Sequence, residues 1–143
     1  MVSERVPLTI LNNLIHDEEY TRKVIPFIEE DYFEERSDKV VFQEISTFLK
    51  QYDSLPSKEV LHIEVGKRTD LTQDEFQSTE QLINALGEAE YEQEWVYDTT
   101  EAWCKERAIY NALMESIKIA DGQDDKKNRD AIPSILSDAL AVG

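Results

Sequence analysis

Five carboxylates fall between residues 29 and 35: Glu29, Glu30, Asp31, Glu34 and Glu35. Such a density can hold a divalent cation or supply a paired general acid and base. The segment lacks the alternating carboxylates and the turn glycine of a calcium loop. A solvated acidic connection anchored by Tyr32 and Phe33 is the favoured reading. The same stretch, Glu29, Glu30, Tyr32 and Phe33, also suits a docking face for a basic partner. The two histidines, His16 and His62, stand far apart and show no ligand spacing. The one cysteine, Cys104, cannot form an internal disulfide or a cysteine-based zinc site, and it reads as a small packed residue. No G-x-x-x-x-G-K-[ST] loop, G-x-G-x-x-G turn or H-E-x-x-H pair occurs. The sequence therefore assigns no catalytic, cofactor or metal residue.

The elements that must carry these side chains are helical. Only four Gly and four Pro interrupt 143 residues, of which 32% are charged and 41% hydrophobic. Net charge is −16, from 31 acids against 15 bases, a surface that repels phosphate backbones and argues against tight DNA binding. No apolar run approaches the ~18 residues of a membrane span. The start, "MVSERVPLTI", lacks the order of a signal peptide. With its lone cysteine, the chain reads as cytoplasmic.

Val6, Leu8, Leu11, Leu14 and Ile15 recur at helical spacing, with Pro7 in a first turn. Asp17 is placed to cap a second helix that Pro26 ends near Ile25. Residues 29 to 38 read as a connection. Asp38 is placed to cap a third helix with the stripe Val41, Phe42, Ile45, Phe48, Leu49 and Tyr52. Ser57 can cap a short fourth helix, and "HIEV" lies within it. Thr72 and Glu75 give the T-x-x-E capping-box pattern for a fifth, with Gly87 as its stop.

Residues 94 to 121 then run without Pro or Gly. As a helix this rod is about 40 Å long. Trp95, Trp103, Ile109, Tyr110, Leu113 and Ile117 lie near one side of it. After the polar connector "GQDDKKNRD", Asp130 is a cap for a last helix presenting Ile132, Ile135, Leu136 and Leu140. That helix is too short to cover the rod. The expected architecture is all-α: a compact multi-helix head over residues 1–90, then a long helical hairpin over 91–143. Trp95, Trp103, Ile109, Tyr110, Leu113, Ile117, Ile135 and Leu140 are the candidate self-association residues, because an uncovered apolar seam predicts a second chain.

The order of these features resembles the N-terminal domain of DnaB-type hexameric replicative helicases, most closely that of T-even-type bacteriophages. The resemblance is carried by Leu11, Leu14, Ile15, Asp17, Tyr20, Lys23, Val24 and Pro26. It continues through Tyr32 and Phe33, "LPS" at 55–57 and "LINAL" at 82–86. Trp95 and Val96, "ERAIYNA" at 106–112 and "AIPSILSDAL" at 131–140 complete it. It implies a DnaB-helicase N-terminal-domain-like fold whose hairpins pair into a collar, as dimers within a hexamer. It also implies docking of primase, with a helicase loader as a further partner. A linker and RecA-like motor domain, binding ATP and Mg, are expected beyond this chain, which is itself expected to be non-catalytic. In a phage-encoded protein the compartment is the host cytoplasm.

Two other readings compete. One is a free-standing acidic helical adaptor, or nucleic-acid mimic, aimed at a basic protein. The other is a small carboxylate-dependent enzyme built on residues 29 to 35.

Overall fold

The computed structural model describes residues 5–88 and 91–142. Among them it is all-α, with no strand. The boundary expected between residues 90 and 91 adjoins positions outside the described set.

Helix α1 (Arg5–His16) buries Ile10, Leu11, Leu14 and Ile15. The Asp17 side chain accepts from the Tyr20 amide at 3.0 Å and so caps α2 (Glu18–Val24). Pro26 cannot continue that helix, and residues 25–27 tighten into a 3₁₀ turn. A second 3₁₀ turn at 30–32 brings Tyr32 and Phe33 into the core. Helix α3 (Arg36–Tyr52) is followed by Asp53 in the left-handed region, φ 53°, whose carboxylate accepts from Arg22 at 2.8 Å.

Asp38 does not cap α3. The helix starts three residues earlier, with Glu35 at the N-cap position, and Asp38 lies in the first turn, where the helix dipole favours a carboxylate. Tyr52, expected on the buried stripe, sits exposed at the helix end and packs on Phe48.

Ser57 caps α4 (Lys58–Gly66), and the Thr72–Glu75 capping box forms at α5 (Gln73–Ala85) with both reciprocal hydrogen bonds. Arg68 ties the intervening loop to α3, bonding Glu44 at 2.7 Å and Gln43 at 3.0 Å while also pairing with Asp70. His62 joins α4 to α5 through Glu80 and the Asn84 side chain.

Helix α6 (Gln93–Ala120) is the rod. The Glu92 side chain caps it, and Gly122, at φ 74°, follows its end. The last connection differs from expectation in one detail. Asn128, not Asp130, provides the side-chain cap, for a 3₁₀ turn at 129–131 that leads into α7 (Ile132–Leu140). Pro133 sits in the first turn of α7, where its missing N–H does little harm.

One buried cluster runs through the molecule. It joins Tyr20, Phe33, Val41, Ile45, Leu61 and Ile83 to Val96, Trp103 and Cys104 of α6. The rod packs against α1, α2, the 30–32 turn and α7.

Candidate functional site

Val96, Thr100, Trp103, Arg107, Tyr110, Met114 and Ile117 are spaced alternately by four and three along α6. Such spacing places all seven in one seam along a helix. The first four are buried. Thr100 Oγ1 shares a hydrogen bond with the Tyr20 hydroxyl at 2.7 Å. Trp103 packs against Tyr32 edge-on and against Phe33, with ring centroids 6.1 and 4.9 Å apart.

Arg107 completes the buried half. Its Nε–H donates to the Tyr32 carbonyl at 2.6 Å, and its Nη1 meets the Glu34 carboxylate at 3.1 Å. One turn on, Asn111 Nδ2 donates to the Asp31 carbonyl at 2.8 Å. The rod thereby satisfies two backbone carbonyls of the acidic turn and fixes that turn against itself.

The seam then outruns the head. Tyr110, Met114 and Ile117 are 48, 42 and 52% exposed, and neighbouring Leu113 is 48% exposed. The buried positions of this half, Ala108, Ala112, Ser116 and Ile119, lie by helical spacing on the other side, where α7 packs with Ala139 buried. α7 therefore leaves the four large side chains uncovered. Leu140 at the end of α7 is 62% exposed.

The expected self-association residues thus separate. Tyr110, Leu113, Ile117 and Leu140 stand on the surface. Ile109 and Ile135 are half-buried against the core. Trp103 is a correction: at 3% exposed it is a core residue of the head–rod junction, because Tyr32 and Phe33 cover it. Trp95 is exposed but stands apart at the start of the rod, stacked on Tyr91. Met114 was absent from the expected set, although the four–three spacing points to it.

The acidic segment divides similarly. Glu29 and Glu30 face solvent, while Tyr32 and Phe33 are buried and cannot form an exposed docking face. The exposed carboxylates instead border an open groove floored by Ile25, Ile28, Phe42 and Leu49. Among the described residues, no group of three or more His, Cys, Asp or Glu side chains is arranged to hold a metal ion. Burial pushes the Cys104 thiol up to about 12, so the thiolate nucleophile is suppressed.

Sequence reading missed a cavity of about 380 Å³ at the junction of α1, the 32–38 segment, α5 and α6. Glu34, Glu35, Asp38, Trp103 and Arg107 line it together with Leu8 and Leu82. Burial, with Glu35 beside it, pushes the Asp38 carboxyl up to about 6. The nearest sequence signal was the run of acids around Tyr32 and Phe33, which does not reveal what lies opposite.

This arrangement is an all-α helical scaffold with an exposed apolar stripe on its rod and an acidic turn. No family model matches the chain. A "DnaB-like replicative helicase" of Enterobacteria phage T4 is 30% identical to it over 141 residues, covering 93% of this chain and 30% of that protein. The similarity supports a helicase-related domain. The chain spans less than a third of the length of that relative. No helix among the described residues is long and apolar enough to cross a membrane.

Proposed function

We propose that this chain is the N-terminal collar domain of a phage replicative DNA helicase. It assembles the ring through its hairpin and docks primase or other replisome proteins, with a helicase loader among the candidates. The observation that carries the reading is the uncovered stripe Tyr110, Leu113, Met114 and Ile117 on a rod that outruns its own head. Four large apolar side chains on consecutive turns expose an area that a second copy of the same hairpin would bury. The similarity to a helicase of which this chain matches about 30% supports the same assignment. In this reading ATP and Mg belong to a motor domain elsewhere in the protein, and the chain alone neither turns over ATP nor binds DNA tightly.

Sedimentation equilibrium of the purified chain across a wide concentration range tests the assembly role. The expected result is reversible association into dimers or larger rings. A monomer at every concentration removes the basis for the collar.

A further inference from the structure

We propose that Arg107 is a positioning residue of the assembly stripe: clamped by the acidic turn, its guanidinium holds the Tyr110 ring in the orientation that a second copy of the chain buries. The inference rests on the collar reading and adds to it a dependence of assembly on residues 31–34 of the head.

Arg107 is 5% exposed, yet it stands one turn before the exposed half of the seam. All three nitrogens of its guanidinium are engaged. Nε donates to the Tyr32 carbonyl at 2.6 Å, Nη1 meets the Glu34 carboxylate at 3.1 Å, and Nη2 donates to Asn111 Oδ1 at 3.4 Å. Asn111 is itself tied to the Asp31 carbonyl. A planar group held at each nitrogen has little freedom to turn. Its Cζ lies over the Tyr110 ring, 4.8 Å from the centroid, within the range of a cation–π contact. The guanidinium is therefore a fixed wall against that ring. Tyr110 is 48% exposed, so the rest of the ring is open to a second chain.

A free surface aromatic loses rotamer freedom when another chain covers it, and that loss weakens association. A ring already held by Arg107 incurs less of it. The occupant is a second copy, because Tyr110 is continuous with Leu113, Met114 and Ile117 on the same face of the rod. The clamp reaches the surface through Glu34, whose side chain is 66% exposed. Removing that carboxylate frees one edge of the guanidinium and, with it, the ring. The direction of the effect is diagnostic. A chain of net charge −16 that loses a carboxylate repels its own copies less, so charge alone would tighten association. Weaker association after loss of Glu34 therefore reports the clamp.

Sedimentation equilibrium of the purified chain tests this as a double-variant cycle, with circular dichroism and a thermal melt for every protein. The variants are Arg107→Lys, Glu34→Ala and Tyr110→Leu, and Tyr110→Leu combined with each of the other two. Arg107→Lys and Glu34→Ala should each raise the dissociation constant at least fivefold in the parent. In the Tyr110→Leu background, which keeps an apolar side chain without a ring, each should leave it within twofold. Where Arg107→Lys disturbs the fold, Glu34→Ala, at an exposed carboxylate, carries the test alone. Equal weakening in both backgrounds makes Arg107 a strut of the head–rod junction only and overturns the proposal. Unchanged or tighter association of Glu34→Ala overturns it too. In both cases the parent still associates and the collar reading stands. A parent that is monomeric at every concentration overturns the collar reading and this inference together.

Discussion

Arg107 Nε lies 2.6 Å from the carbonyl oxygen of Tyr32, across 75 residues of chain. With the Asn111 bond to the Asp31 carbonyl one turn on, this bond joins the rod to the acidic turn, and it sits where the seam of α6 passes from buried to exposed. Arg107→Ala leaves a buried carbonyl without a donor and removes the pair with Glu34. A loss of about 2–3 kcal/mol follows from an unsatisfied group of this kind. Urea unfolding should show the midpoint falling with the slope unchanged. A variant as stable as the parent would show that the bond contributes nothing to the junction.

Asp38 predicts a pH dependence of definite sign. Its folded-state value of about 6 stands above its ordinary 3.8, so between those limits the native chain holds a proton that the unfolded chain has released. Its contribution to stability therefore falls as pH rises from about 4 to about 6 and stays low above that. Asp38→Asn removes this slope. The variant should be more stable than the parent at pH 7, and the difference should shrink toward pH 4. Paired thermal melts across that range test it, and a constant difference would refute it.

Cys104 is fully buried, and its thiol is pushed up to about 12. Its labelling by a thiol-directed aromatic disulfide at pH 8 should be slow in the native protein and rapid in denaturant. Fast native labelling would mean that the head–rod junction opens readily.

Local chemistry made much of this fold legible. Asp17, Ser57 and Thr72 with Glu75 cap the helices expected of them, and Pro26 ends α2, because each acts within one turn of chain. What stayed hidden depends on residues far apart in sequence. Trp103 reads as an outer-face aromatic until Tyr32 and Phe33 are placed on it. Arg107 draws no reading of its own from the sequence, because its buried partner, the Tyr32 carbonyl, lies 75 residues away. Asp38 fits a cap in sequence but lies one turn inside α3, facing the cavity. The stripe itself was half visible: Tyr110, Leu113 and Ile117 follow from spacing, whereas the end of the head's cover does not.

The Thr72 cap offers a check on the folded scaffold. Its Oγ1 accepts from the Glu75 amide at 3.1 Å, and the Glu75 carboxylate accepts from the Thr72 amide at 2.9 Å. Thr72→Ala should cost about 1 kcal/mol. The loss, read by denaturant titration, should come without any change in association state. A change in association would place α5 in the interface.

The central claim is that the exposed half of the seam faces another chain. Sedimentation velocity of Leu113→Asp and Ile117→Asp, read beside their melting curves, tests it most directly. The account predicts a smaller species than the parent with helicity and cooperative melting retained, since both side chains are about half exposed within one chain. Phe42→Asp, at a buried position of α3, should unfold the head and serves as the control. If both rod variants keep the parent's sedimentation coefficient, or lose their fold as Phe42→Asp does, the stripe is not an assembly surface and the collar reading is contradicted.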